Sequence, residues 1–152
     1  MTKQTKKQLL RNAQNALQLE LIYLHQAESS LNGDTTPYDL SESSINIGLD
    51  FSVGSYIEKE EKKKKLIVYP CKNLAEFKDT GTDEVMFAIK TEFRAVYSIQ
   101  SDDLEDEALA VFGKENVMYH TYPYFREYLQ NLLLRMGLPT FTMPMLLSRS
   151  EK

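Results

Sequence analysis

Apolar and polar residues alternate with a period of two along several stretches of this chain, then switch to a spacing of three and four near its C-terminal end. The alternation is cleanest from Ile45 to Val53, where Ile45, Ile47, Leu49, Phe51 and Val53 interleave with Asn46, Gly48, Asp50 and Ser52. That pattern describes a strand with one buried and one wet face. Residues 85–99 repeat it at greater length, with Val85, Phe87, Ile89, Phe93, Ala95, Tyr97 and Ile99 sharing a face with Thr91. Residues 17–31 read as a long first strand. Its parity places Leu17, Leu19, Leu21 and Tyr23 inward, and Gln18, Glu20, Ile22 and Leu24 outward. Leu66 to Tyr69 reads as a short strand stopped by Pro70, and 72–84 as a loop or a degraded turn of helix.

Between Val117 and Met136 the period becomes helical. Tyr122, Phe125, Tyr128, Leu129, Leu132, Leu133 and Met136 fall at spacings of three and four and share one broad face. Gly137 is placed to close that helix in a left-handed conformation, and Pro139 forbids its continuation. The following stretch, Leu138 to Met145, is as apolar as a core strand, but Pro139 and Pro144 remove ladder donors. Residues 101–113 read as a short helix capped by Ser101, acidic in its first turn and ended by Gly113. Residues 2–15 are consistent with a short helix or a frayed arm, and 32–44 have turn and loop chemistry. Strands followed by helices imply an α+β domain, a four-stranded antiparallel sheet with a long C-terminal helix on one face.

Length and charge narrow the picture. At 152 residues the chain makes one domain, read as 16–147 between an N-terminal arm (1–15) and a short tail (148–152). A net charge of −4 sets up no field that would draw it to nucleic acid or anionic lipid. No apolar run reaches the roughly 18 residues of a membrane span. The N-terminus lacks the apolar segment of a secretory signal, so a cytoplasmic protein is expected. Cys71, the single cysteine, excludes an internal disulfide and a multi-cysteine zinc site. His25 and His120 stand apart, without neighbours at metal-ligand spacing. The acids Asp102, Asp103, Glu105, Asp106 and Glu107 lack the glycine and spacing of a calcium loop. The charged run 58–65 suits a solvated hairpin guarding a sheet edge. No phosphate cradle, nucleophile elbow or zinc-protease motif occurs, so no enzyme and no cofactor is expected. What remains is surplus apolar surface. A Met-bearing, irregular tail suits adaptable binding of polypeptide, but the residues alone favour its burial in the core or in a seam between subunits.

One segment carries a family pattern. Tyr122-Pro123-Tyr124-Phe125-Arg126-Glu127-Tyr128, continued through Gly137-Leu138-Pro139 to Pro144, resembles the protein-export chaperone SecB, and within that family the members attached to toxin–antitoxin pairs. Residues 93–99 and 22–30 resemble that family's last and first strands. The resemblance implies an ATP-independent holdase, a homotetramer built as a dimer of dimers, which keeps unfolded clients in an apolar groove. The matching positions make Leu138, Phe141, Met143 and Met145 the groove lining, with Phe51 and Tyr97 below them. Tyr124, Tyr128 and Leu132 would then face a partner subunit. The implied clients are unfolded preproteins or the exposed tail of an antitoxin, with no nucleic acid and no membrane insertion. Where the export chaperone carries acids that dock the motor SecA, this chain has Gln26, Ser30 and Lys90, which puts that contact in question. The family also places a second helix after the loop, whereas here eight residues follow Pro144, an end that implies a more open groove.

Overall fold

Thr5 and Gln8 open the first helix with a reciprocal cap: the Gln8 amide donates to Thr5 Oγ1 (3.2 Å) and the Thr5 amide donates to Gln8 Oε1 (3.0 Å). In the computed structural model, which describes residues 4–42, 44–101, 103–139 and 143, this helix, α1, spans Lys6–Ala16. It buries Leu9, Ala13 and Ala16 and packs on a later helix, so the helical alternative holds for the N-terminal segment. The strands are β1 (Leu17–Leu31), β2 (Ile45–Val53), β3 (Ile57–Glu61), β4 (Lys64–Asp79) and β5 (Val85–Ile99), with a one-turn helix α2 (Pro37–Glu42) before β2. α3 (Asp106–Phe112), a π turn (Gly113–Val117) and α4 (Met118–Arg135) follow as one continuous helical rod.

All strand pairs are antiparallel, in the order β1-β5-β4-β2, with β3 pairing the first half of β4 on the same side as β2. β2 and β3 therefore act as one interrupted strand, and the sheet is four strands wide. The helical rod lies over β5 and β4 and seals Phe87, Ile89, Phe93, Ala95 and Tyr97 of β5 and Ile67, Tyr69, Cys71, Ala75 and Phe77 of β4.

Three expectations are corrected. First, Pro70 does not stop a strand. β4 runs straight through it to Asp79, with Asn73, Ala75 and Phe77 inward and Lys72, Glu76 and Lys78 outward. The Pro70 carbonyl accepts from Gly54 N (2.8 Å), so its missing N–H points into the gap between β2 and β3, where no ladder donor is required. Second, Gly113 ends nothing. Its φ of −57° and ψ of −45° are helical, and the chain passes through it into the π turn. α3 itself starts at Asp106 behind Glu105, not at Ser101. Third, the parity of β1 switches. Pairing skips Glu20 and His25, and each bulge exchanges the two faces. Ile22 and Leu24 thereby join Leu17 and Leu19 on the helix-facing side, opposite Ala95 and Phe93, while Leu21 and Tyr23 face outward opposite Val96 and Arg94.

Other expectations are met. Gly137 takes φ +70°, and Leu138 N donates to Leu133 O (2.9 Å) while Gly137 N donates to Leu134 O (3.2 Å), the paired bonds of a Schellman ending. The charged run forms the β3–β4 hairpin, turning at Lys62 and Lys63, both with positive φ, and laced by Lys65–Glu58 and Lys64–Glu20 ion pairs.

Candidate functional site

β2 is the outermost strand on one side of the sheet, and the helical rod does not fully cover it. Its inward residues Ile45, Ile47, Phe51 and Val53 are half-buried, and Leu49 is 37% exposed. Phe51 is the anchor of this strip. Its ring meets Tyr122 and Phe125 of α4 edge-on, both at 5.7 Å between centroids. Sequence alternation gives β2 its apolar face, and the edge position leaves that face open. An edge strand also carries backbone groups on its free side that can take up a further extended segment.

Two open hollows lie in this part of the molecule, one of them lined in part by β2. One, of about 500 Å³, sits where β2 breaks from β3 beneath the π turn, lined by Phe51, Val53, Tyr56, Tyr69, Gly113 and Met118, with Lys114 at its rim. The other, of about 600 Å³, lies between α2 and the end of α4, bordered by Pro37, Tyr38, Gly137, Leu138 and Pro139.

The walls of the first hollow are held by aromatic packing. Tyr56 donates to the Asp106 carboxylate (2.7 Å), a bond to an acceptor that raises its phenol to about 12. Tyr69 donates to Leu109 O (2.6 Å) and stacks edge-on with Tyr97 at 5.7 Å, and burial raises both phenols. Gly113 is the residue that lets the helix approach. A Cβ there would stand 2.6 Å from the Tyr69 ring. None of these groups is poised for proton transfer. Cys71 is buried, and its thiol is pushed up to about 11 by burial, which removes it as a nucleophile. His120 shares a 2.6 Å hydrogen bond with Tyr97, and burial lowers its pKa. Among the described residues no cluster of acids, histidines or cysteines could hold a metal ion, and no helix is long and apolar enough to cross a membrane. The first hollow is lined chiefly by aromatic and aliphatic side chains.

The residues singled out in the sequence separate into five groups. Phe51 lies in the open strip. Leu138 and Met143 are buried within the chain's own core, the latter completely. Tyr97 is 1% exposed, beneath Phe112 (5.1 Å) and His120, and lines no open surface. Phe141 and Met145 lie outside the described residues. On the opposite flank of α4, Tyr124 is exposed, Tyr128 and Leu132 are half-buried, and both tyrosines touch Phe93. Beside them Leu19 and Leu24 of β1 stay exposed on the helix-facing side, and Leu21 is 54% exposed on the other. Tyr56, Tyr69 and Met118 were not signalled as site residues. Tyr56 and Tyr69 become neighbours only because β3 folds back on a β4 that continues through Pro70.

No protein-family model matches the sequence, and no curated protein matches it significantly. Among solved structures, a SecB-like chaperone of Mycobacterium tuberculosis, Rv1957, held in complex with a ChAD peptide from the HigA1 antitoxin, superposes with a TM-score of 0.72. That match covers 93% of this chain and 98% of the other at 18% identity. A protein of unknown function from Streptococcus agalactiae superposes at 0.44 with 11% identity, covering 84% of this chain and 96% of that one. The first match establishes the architecture: an antiparallel sheet with a long C-terminal helix, a SecB-like fold.

Proposed function

We propose that this SecB-like chain is a molecular chaperone, an ATP-independent holdase that keeps non-native polypeptide extended along β2. The observation that carries this reading is the half-covered apolar face of β2, which opens into a hollow where β2 breaks from β3. Nine strand residues span about 30 Å, enough for a client segment of similar length. Burying even half of a Leu or Phe side chain of the client at each inward position stabilises the complex by about 1 kcal/mol per contact. Binding of this kind needs neither cofactor nor catalysis. In the reading, Leu138, Phe141, Met143 and Met145 border the groove when a client displaces the tail, Phe51 forms its floor, and Tyr97 supports the floor from beneath.

The fold neighbour holds an antitoxin peptide, and this supports an antitoxin tail as client over a broad range of unfolded preproteins. The missing acids at Gln26, Ser30 and Lys90 argue against docking of SecA. We assign the exposed flank with Tyr124, Tyr128 and Leu132, together with the exposed leucines of β1, to subunit contacts in a cytoplasmic homotetramer.

One observation favours a second reading, a structural oligomer with its tail buried: Leu138 and Met143 are already in the core. An aggregation assay separates the two. Equimolar protein is expected to suppress light scattering from a thermally unfolding client, and Phe51→Ser to weaken that suppression while far-UV circular dichroism is retained. A client that aggregates as fast as in buffer sinks the holdase reading and leaves the structural one.

A further inference from the structure

The flank of the helical rod that faces β2 carries two cations. Tyr122 touches Phe51, and Arg126 follows one helical turn later on the same line. Lys114 stands at the rim of the hollow shared by Phe51 and Met118, three turns earlier. Arg126 is half-buried, and its Nε is shielded from water without any acceptor; it is the one such side-chain nitrogen or oxygen among the described residues. A guanidinium N–H removed from water with nothing to donate to is a costly arrangement that an incoming acceptor would relieve. The acids near this flank are engaged elsewhere. Asp106 accepts from Tyr56, Glu115 pairs with Lys6, and Asp50 lies on the opposite face of the sheet, in a hollow with Lys72 and Lys90. Between Lys114 and Arg126 the described inward side chains of β2, Phe51 and Val53, are apolar.

We propose that the groove selects apolar client segments that carry carboxylates, one received by Arg126 and a second by Lys114. This deepens the holdase reading and rests on it. Twelve helical residues separate the two cations, about 18 Å along the rod. An extended client covers that distance in about five residues, so the favoured segment has acidic positions about five apart with apolar residues between them. Arg126 is the stronger anchor, because a guanidinium takes a carboxylate with two parallel bonds whereas an ammonium acts as a point charge.

The test uses three fluorescein-labelled ten-residue peptides with the same apolar residues, differing only at two positions five apart: Glu and Glu, Gln and Gln, or Lys and Lys. Fluorescence anisotropy on the full chain is expected to show the Glu peptide binding about tenfold tighter than the Gln peptide, with the Lys peptide weakest. Raising salt from 0.05 to 0.5 M is expected to shrink the Glu-to-Gln ratio. The Arg126→Met variant is expected to bring that ratio close to one. The wild-type ratio and its salt dependence decide the matter even if the variant does not fold. Equal binding of Glu and Gln peptides, or preference for Lys, overturns the carboxylate preference and leaves the holdase reading intact. A ratio that persists in Arg126→Met overturns the role of Arg126. Binding of none of the peptides overturns the holdase reading as well.

Discussion

Gly113→Ala tests how the helical rod is seated on the sheet. The backbone at Gly113 is helical, so alanine meets no conformational penalty and would gain about 1 kcal/mol of helix propensity. Sterics oppose this. The new Cβ would stand 2.6 Å from Cε1 and 2.9 Å from Cδ1 of Tyr69, inside van der Waals contact. The Tyr69 ring is hemmed by Tyr97 (5.7 Å), Phe112 (5.9 Å) and Tyr56 (6.2 Å), and its hydroxyl is tied to Leu109 O, so a shift toward the hollow strains these contacts. Overpacking of this sort costs about 1–3 kcal/mol. Displacing the ring far enough to break the Leu109 bond costs about 1 kcal/mol more. The steric cost exceeds the propensity gain, and the expected result is a net loss of about 1–3 kcal/mol, which lowers the urea midpoint by roughly 0.5–2 M. A double-mutant cycle with Tyr69→Leu isolates the cause, since removing the ring must reduce the cost of Gly113→Ala by about 1 kcal/mol or more. A Gly113→Ala protein as stable as the parent, or stabilised by the propensity gain, would refute the close approach and with it the geometry of the adjoining hollow.

Two further expectations concern titratable groups. Burial against Tyr97 and Phe112 holds His120 below its ordinary 6.5, so the unfolded chain takes up a proton that the folded chain resists. Its contribution to stability is therefore complete above pH 6.5 and declines as pH falls below it, with a slope of at most about 1.4 kcal/mol per pH unit. Urea midpoints measured from pH 7 to pH 5 should fall less steeply in His120→Gln than in the parent, and parallel profiles would exclude this source. Cys71, buried with its thiol raised to about 11, is expected to resist Ellman's reagent at pH 8 until the chain unfolds. Fast stoichiometric labelling in buffer would show that the β4–α4 seam opens readily.

Local periodicity settles much of this molecule. The inward residues of β2 and β5, the apolar face of α4 and the glycine ending at Gly137 follow from spacing and from the residue type that takes a positive φ most readily. The α+β class follows from the order of those elements. The candidate site is legible in half: Phe51 stands on a strand whose alternation announces an apolar face, and the segment after Gly137 is visibly greasy. Its other half is not. Tyr56, in the break just before β3, and Tyr69 on β4 meet only through the β3–β4 hairpin, and Tyr97 reads as available although α3 and α4 cover it. Arg126 looks like an ordinary helix surface charge until its Nε is found without an acceptor.

In β2, β5 and α4 the amino-acid pattern was enough to say which residues share a face, because a regular strand or helix repeats its geometry over a few residues. Tertiary structure alone decided which face is covered. The two bulges of β1 exchange inside and outside, because one unpaired residue shifts a period-two pattern by half its repeat. Pro70 rides inside a strand because the neighbouring chain is interrupted where its donor is missing. Gly113 continues a helix that it looked set to end, because the Tyr69 ring occupies the space a side chain would need. Whether apolar surface is core or groove depends on what lies above it, and along β2 the rod stops short of the edge.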